Sequence, residues 1–572
     1  MVPFVENEEL GRLFDEIAFW LEIAGDNPFK IRSYAQASRV LSKLGEPVGA
    51  LYRDGRLREL EGIGEAIEKK VGELLETGKL AYLEKLRARF PEGLLALSKL
   101  QGIGAKSIKH LYETLRVDSP ETLRAACERG DVAKLKGYGK KKQEKIMEAL
   151  DFQEAQRDRF HLHTAWNQAN ALFRHLGTHP TLQNLAVTGS LRRYKETVSD
   201  IDLLAAGEDA DALVNHFLES PEVGRVLSTG PDKSAVVTTS DIPVELRVVP
   251  DGQWPFALLH FSGSKAHLAQ LRERAAAVEL KLTERGLFRK DGSAVPCNDE
   301  EDIYQALGLP YIPPELREGR HEFDLPDSGR LLEEADIIGT LHCHSTWSDG
   351  VNTIAELAEA AETMGYAYIV ITDHSQASAI VRGMPGESVR AQHLEIDALN
   401  KRLKKIRIIK GIEADILGDG SLDYEPGILD SFEFVIASIH GGFDMTEEET
   451  AQRLIRAIEN PHASVIGHLT GRLLLSRKGY PVPVDKIVDA AIANGVALEI
   501  NANPRRLDMD WRHLREAADK GAMFAIGPDA HRIAGLHNMR FGVAIARKGG
   551  LTPDRLLNCK PAEEIIRWRG RP

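Results

Sequence analysis

The spacing of apolar and polar positions changes character along the chain. "LGRLFDEIAFWLEI", from Leu10, and "LYETLRV", from Leu111, repeat apolar residues at three and four, which predicts amphipathic helices. The region up to about residue 152 reads as helical throughout. After residue 160 the pattern shortens. "LAVTGSLRRYKETVSDIDLLAA" reads as strand, Gly-Ser turn, basic helix start and strand, and "DIPVELRVVP" as a further alternating strand. "LPYIPPELREGRHEFDLPDSG" is rich in Pro, Gly and charge and predicts a domain boundary. Beyond it, seven strand candidates alternate with helical stretches: "IIGTLHCH", "YAYIVITDH", "IRIIKGIEADI", "FEFVIASIH", "ASVIGHLT", "GVALEINAN" and "AMFAIGPDAH". That alternation is the signature of parallel β/α architecture.

Within the helical region one unit recurs three times: "LEGIGEAIEKKVGELL" at Leu60, "LQGIGAKSIKHLYETL" at Leu100 and "LKGYGKKKQEKIMEAL" at Leu135. Each is Leu-x-Gly-apolar-Gly followed by an amphipathic helix. The pairs Gly62 and Gly64, Gly102 and Gly104, and Gly137 and Gly139 permit tight turns with positive φ. The helix N-terminus that follows offers free backbone N–H groups to a phosphate. The third copy adds Lys134, Lys136, Lys140, Lys141, Lys142 and Lys145, denser than a solvated helix face needs. The unit resembles the helix-hairpin-helix motif, which implies a grip on the DNA backbone without base reading.

Composition narrows the class. At about 150 residues per domain, 572 residues suggest about four domains. With 43% hydrophobic and 28% charged residues the chain is of ordinary globular make-up. No run of 18 apolar residues predicts a membrane span, and "MVPFVENEELG" lacks the basic and apolar segments of a signal peptide. Cys127, Cys297, Cys343 and Cys559 form no CxxC pair, which suits a reducing cytosol. A net charge of −13 argues against a uniformly basic nucleic-acid binder but leaves room for basic patches and metal-binding acids.

Two stretches carry candidate chemistry. Asp200 and Asp202 are two apart, so both carboxylates face one side of a strand, and Glu245 can join them from the neighbouring strand. Oxygen ligands so placed suit Mg²⁺, which also takes substrate phosphates. Gly189, Ser190, Arg192 and Arg193 offer N–H, hydroxyl and guanidinium groups to a triphosphate. In the last third, six of the seven strands end in a metal-type ligand: His342 and His344, His374, Glu413, His440, His468, and Asp529 with His531; Asp349 follows the first strand. In a β/α barrel the strand C-termini converge on one face. A His/Asp/Glu set without thiolates suits Zn²⁺ or Mn²⁺. Cys343 is out of phase with its histidine neighbours and is left out of the set.

Gly-Ser-x-x-Arg followed by x-Asp-x-Asp-apolar resembles the nucleotidyltransferase superfamily. With the hairpin repeats and "HFSGSKAHLAQLRERA" from His260, residues 1–318 resemble family X DNA polymerases, the class of DNA polymerase beta. The resemblance implies a lyase-like domain, fingers, palm and thumb. It assigns Asp200, Asp202 and Glu245 to Mg²⁺ or Mn²⁺. Gly189, Ser190 and Arg193 go to the triphosphate, Phe261 and Gly263 to the deoxyribose, and Arg272 to the template strand. Lys70 would be the Schiff-base lysine of a lyase, with Lys30 and Tyr34 at the 5′-phosphate. The match departs at Glu245, His260, Leu268 and Ala66, where the family usually has Asp, Tyr, Asn and Lys. The set HxH…D…DH…E…H…H…DxH resembles the PHP (polymerase and histidinol phosphatase) superfamily over residues 336–572. That implies a distorted seven-stranded barrel with three Zn²⁺ or Mn²⁺ ions. His342, His344, Glu413 and Asp529 would hold one; Glu413, His440 and His468 a second; Asp349, His374 and His531 the third.

The expected protein is multidomain. It has helical helix-hairpin-helix domains (lyase-like 1–88, fingers 89–152), an α+β nucleotidyltransferase palm (153–252) and a thumb (253–316). A linker (317–335) leads to a distorted (β/α)7 PHP barrel (336–572). The expected function is gap-filling DNA synthesis from dNTPs with a PHP 3′–5′ exonuclease and abasic-site endonuclease, by a cytoplasmic monomer acting on gapped or nicked DNA. Two alternatives stand beside it: a PHP site for a small phosphate ester or pyrophosphate, and an N-terminal half that only binds DNA.

Overall fold

The computed structural model describes residues 7–568 except 43, 45, 46, 321, 325–329 and 379–381, and the side chain of Glu8. The chain forms two compact units, Met1–Arg157 with Ser476–Lys478, and Asp158–Leu475 with Gly479–Pro572.

The first unit is helical. In the helix Asn7–Ala24 the residues Leu10, Phe14, Ile17 and Leu21 are fully buried, as their spacing of three and four requires. One apolar cluster runs from Leu10 to Leu150, so the helices on both sides of the predicted 88/89 boundary share a core.

In the second unit a five-stranded sheet comes first: β1 (Leu182–Val187), β2 (Ile201–Gly207), β3 (Val223–Thr229), β4 (Lys233–Thr238) and β5 (Pro243–Val249). Its order is β1-β2-β5-β4-β3, with β2 and β5 parallel and the other pairs antiparallel. Along β5, Val244, Leu246 and Val248 are buried while Glu245 and Arg247 face the other way, half-exposed. The helices Trp254–Ser262, Lys265–Ala277 and Glu300–Ala306 then pack with a small three-stranded sheet around Phe256, Leu271, Leu287 and Tyr304.

The remainder is a barrel of seven parallel strands: β6 (Gly339–Cys343), β7 (Tyr368–Ile371), β8 (Arg407–Asp415), β9 (Phe434–Ser438), β10 (Val465–Ile466), β11 (Ala497–Asn501) and β12 (Phe524–Gly527). Each strand pairs with the next, and Cys343 bridges Ala530 beyond β12, which nearly closes the ring. All seven predicted strands are present. Covered on both faces, they read as near-continuous apolar runs rather than alternating ones.

The first residues of the predicted linker 317–335 are packed into the fold. Arg317 is fully buried, donating to the Ile312 carbonyl at 2.8 Å and to Glu300 at 2.5 Å, and the side chains of Glu318 and Glu322 are buried as well. Pro, Gly and charge suggested a loose connection. Here the charges of Arg317, Glu318 and Glu322 are paired inside the fold, which anchors the start of the stretch. Its residues 321 and 325–329 lie outside the described set. A single apolar cluster extends from Leu162, through the five-stranded sheet, to Leu556 behind the barrel.

Candidate active sites

The first site lies where β2 and β5 run side by side. Asp202 on β2 stands in register with Glu245 on β5, and Asp200 lies just ahead of β2, exposed. Burial, then the charges of Asp200 and Glu245, push the Asp202 carboxyl up to about 6. Carboxylates that oppose one another in this way are relieved by a divalent cation, so the acids fit the expected metal role. The Gly-Ser turn crosses directly above. Gly189 has φ +60°, and a Cβ there would lie 2.0 Å from Asp202 Oδ2, so only glycine brings this turn onto the acids.

Glu245 is engaged by two cations, Lys233 Nζ at 2.7 Å and Arg247 Nη2 at 3.1 Å. Arg247 in turn lies 4.7 Å from the centre of the Phe261 ring. Arg193, expected at the triphosphate, does not present its guanidinium there. Nε pairs with Glu318 at 3.1 Å and Nη1 donates to the Ser262 carbonyl at 2.9 Å, and the side chain is buried. Its neighbour Arg192 forms a two-pronged pair with Glu300 at 3.0 and 2.8 Å and donates to Ser262 Oγ. Both arginines therefore tie the Gly-Ser turn to the Phe261–Gly263 turn. Of the residues expected at a triphosphate, Gly189 and Ser190 are the ones not drawn into these pairs. Arg272, on the helix after Gly263, contacts His260 at 3.1 Å.

The second site lies at the C-terminal ends of the barrel strands and gathers all nine predicted ligands. Glu413 is at its centre. His374 Nδ1 is 2.9 Å from its carboxylate, His440 Nε2 and His468 Nε2 are each 3.2 Å away, and His342 and His344 are at 3.4 and 3.6 Å. Neither Glu413 oxygen makes a hydrogen bond of normal geometry, and the buried Nε2 atoms of His342 and His344 have no hydrogen-bond partner. Burial alone would raise the Glu413 carboxyl, but His440, His342 and His374 hold it well below the usual range. Bare imidazole nitrogens around a bare carboxylate fit metal ions better than any closed protein network.

Three groups have all their ligand atoms within 4.8 Å of one another: His342, His344 and Asp529; His374, Glu413 and His440; and His344, Asp349, His374 and His531. This division differs from the one implied by resemblance. His374 and His344 are each shared between two groups, and His468 reaches Glu413 without joining a group. His342, His468 and Asp529 all have positive φ, backbone strain of the kind that concentrates at functional sites.

Sequence reasoning missed the residues that orient these ligands. Glu499 on β11 accepts from His342 Nδ1 and from the His468 backbone N–H. Asp415 holds His440 Nδ1 at 2.7 Å. Asp373 accepts from the backbone N–H and hydroxyl of Ser345, from Ser348 and from Gln392. Such partners fix tautomer and ring orientation. An acid inside the apolar strand "GVALEINAN", and an acid two residues after Glu413 on the same strand face, were the visible signals. Burial pushes the Cys343 thiol up to about 12, so it stays a neutral core residue, as its phase suggested.

In the helical unit the first glycine of each hairpin pair has positive φ. Ile63 and Ile103, between the glycines of the first two pairs, are buried and anchor those turns in the core. A Cβ at Gly64, Gly102, Gly104, Gly137 or Gly139 would meet nothing within 4 Å. Packing does not demand glycine at these exposed positions; positive φ favours it at Gly102, Gly137 and Gly139, while Gly64 and Gly104 leave the backbone N–H groups of the following helix open to approach. The third turn departs from the others, since Gly139 also has positive φ and itself begins the helix Gly139–Ala155. Lys140 and Lys141 are exposed, and Lys142 lies 3.9 Å from the centre of the Tyr138 ring. Lys30, Tyr34 and Lys70 do come together. They meet around Tyr82, which the sequence reading missed: Lys30 and Lys70 lie 5.2 and 5.0 Å from its ring centre, and Tyr34 lies 6.1 Å away.

None of the described helices is long and apolar enough to cross a membrane. Four family models match: a helix-hairpin-helix domain over residues 5–80, a SAM-like helix-hairpin-helix tandem over 94–151, the DNA polymerase beta thumb over 257–318 and the PHP domain over 340–503. The DNA polymerase/3′-5′ exonuclease PolX of Bacillus subtilis (strain 168) is 38% identical over 565 residues, spanning 98% of this chain and 99% of that protein. A probable phosphatase of Thermoanaerobacter sp. (strain X514) is 29% identical over 38% of this chain and 88% of its own length. A probable phosphatase of Caldanaerobacter subterraneus subsp. tengcongensis is 30% identical over 33% of this chain and 74% of its own. Helix-hairpin-helix, thumb and PHP parts in this order, with a relative matched end to end, place the chain in the family X DNA polymerases that carry a C-terminal PHP domain.

Proposed function

We propose that this chain is a DNA repair polymerase with a PHP-domain 3′–5′ exonuclease, acting on gapped or nicked DNA with dNTPs as substrates. The observation that carries the reading is the pairing of two acidic centres in one chain: Asp202 facing Glu245 beneath a Gly-Ser turn, and eight His and Asp ligands gathered with Glu413. Asp200, Asp202 and Glu245 would hold Mg²⁺ or Mn²⁺, and the barrel set three Zn²⁺ or Mn²⁺ ions. Divalent ions so held supply charge neutralisation at the phosphates and a more acidic attacking oxygen.

The residues of the chain supply the rest. Gly189 and Ser190 orient the triphosphate, Phe261 and Gly263 the sugar, and Arg272 the template strand. The helix-hairpin-helix turns seat backbone phosphates. In the barrel Glu499 and Asp415 keep His342 and His440 in the tautomer that presents Nε2. Lys70, with Lys30 and Tyr34 beside Tyr82, is the candidate for a 5′-deoxyribose phosphate lyase, and abasic-site incision belongs to the barrel. The free cysteines accord with a cytoplasmic enzyme, and we take the working form to be a monomer.

The test is a labelled gapped duplex incubated with and without dNTPs across Mg²⁺, Mn²⁺ and Zn²⁺. Primer extension with dNTPs and 3′–5′ shortening without them are expected. No extension under any metal would leave the N-terminal half a DNA-binding scaffold. Release of phosphate from monoesters without shortening of DNA would favour the reading suggested by the two probable phosphatases.

A further inference from the structure

Behind the Gly-Ser turn the barrel and the nucleotidyltransferase sheet meet through an ion cluster. Lys548 ends the helix Met539–Lys548 of the barrel and is 2% exposed. Its ammonium donates to Glu318 Oε1 at 2.6 Å and to the backbone carbonyls of Arg193 at 2.9 Å and Glu315 at 3.1 Å, and it lies 4.4 Å from the centre of the Trp511 ring. Glu318 also takes Arg193 Nε at 3.1 Å and Lys195 at 3.5 Å. Further along the same loop, Glu196 faces two barrel cations, Arg472 at 3.7 Å and Arg512 at 3.5 Å. The loop from Arg193 to Glu196, which joins the Gly-Ser turn to Asp200, is thus held by barrel residues.

Docking alone does not call for this. The shared apolar cluster already joins the two parts, and burying an ammonium is costly unless it is fully paired. The cluster is placed where it matters for geometry. Lys548 grips the carbonyl of Arg193 and the carboxylate that holds the Arg193 guanidinium. That guanidinium fixes the Ser262 carbonyl between Phe261 and Gly263. Misplacing a reacting group by about 1 Å can cost on the order of 100-fold in rate.

We propose that Lys548, in the PHP domain, is a positioning residue for the polymerase site, holding the Gly-Ser turn through Glu318 and Arg193. This rests on the polymerase reading above. It makes the barrel part of the polymerase architecture rather than only a second activity in the same chain.

The experiment uses the full chain and measures single-nucleotide incorporation on a gapped duplex whose primer ends in a hydrolysis-resistant phosphorothioate. Shortening of an ordinary primer is measured on the same preparations. Lys548→Met is expected to raise KM for the dNTP by about tenfold or more, with a smaller change in kcat and unchanged exonuclease. Glu318→Gln should do the same, and Lys548→Arg should restore KM towards the parent value. Unchanged KM in Lys548→Met and Glu318→Gln overturns the inference. So does a joint fall of both activities and of the melting temperature that Lys548→Arg does not rescue, since that marks a purely structural residue. If Lys548→Met does not fold, Glu318→Gln decides. A parent chain that never extends the primer removes the polymerase reading itself and this inference with it.

Discussion

Glu499 holds His342 by its Nδ1 while His342 Nε2 faces Glu413 at 3.4 Å. The carboxylate sets the tautomer, leaving Nε2 as the nitrogen that can bind a metal. Glu499→Gln should therefore lower metal affinity and exonuclease rate by about 10- to 100-fold while leaving primer extension intact. Metal titration by calorimetry, alongside primer shortening, checks this; parent-like affinity would show that Glu499 only packs.

The two chemistries should separate by mutation. Asp202→Ala should abolish nucleotide addition and spare hydrolysis, and His344→Ala should do the reverse. Asp202 sits on β2 of the sheet and His344 just beyond β6 of the barrel, each among its own set of acids and imidazoles. Loss of hydrolysis in folded Asp202→Ala would overturn the assignment of two independent centres.

Glu245 reaches for Lys233 and Arg247 across neighbouring strand positions. Glu245→Asp, shorter by one carbon, loses that reach but keeps the carboxylate beside Asp202. The parent should extend primers better with Mn²⁺ than with Mg²⁺, because Mg²⁺ demands the more regular oxygen geometry, and Glu245→Asp should keep or raise incorporation while reducing that preference. Parallel Mg²⁺ and Mn²⁺ titrations of primer extension measure it. Full activity in Glu245→Ala would mean another residue completes the site.

DNA affinity should fall steeply with salt and depend little on sequence if, as proposed, the hairpin turns seat backbone phosphates. Replacing Lys140, Lys141 and Lys142 with Gln should reduce the slope of log affinity against log salt by about 0.9 for each phosphate left without a lysine. An unchanged slope in fluorescence anisotropy would relegate these lysines to a solvated face.

Glu300 lies buried between Arg192 and Arg317. Burial would raise its carboxyl, but Arg317 and Arg192 pull it down to about 2 from an ordinary 4.5. A depressed folded-state value means the contribution to stability is complete above the unfolded-chain value and is lost as pH falls from about 4.5 towards 2. That contribution is on the order of 3 kcal/mol. Glu300→Gln should melt below the parent at pH 7, and the gap should narrow as pH falls through this window. A gap of constant size by calorimetry would assign the effect to packing instead.

Much of this was legible in the linear chain because it rests on local periodicity. Apolar runs marked all seven barrel strands, and the rule that strand C-termini converge on one face was enough to gather nine ligands separated by long stretches of sequence. Asp202 and Glu245 were paired on the same grounds, from two alternating strands. Glycine pairs at regular intervals marked the hairpin turns, since their unhindered backbones answer no packing need.

The tertiary structure alone decided which charges were already spent. Arg193 looked like a nucleotide ligand by position, but Glu318 and Ser262 claim its guanidinium from segments far along the chain. The stretch around Arg317 looked like a loose linker by composition, and pairing with Glu300 buries it. Glu499 went unremarked in its apolar strand, and β11 brings it against His342. Periodicity says which face a residue occupies; the partner waiting on that face is set by how distant segments pack, because a charge is buried only where a long-range contact supplies its counter-ion.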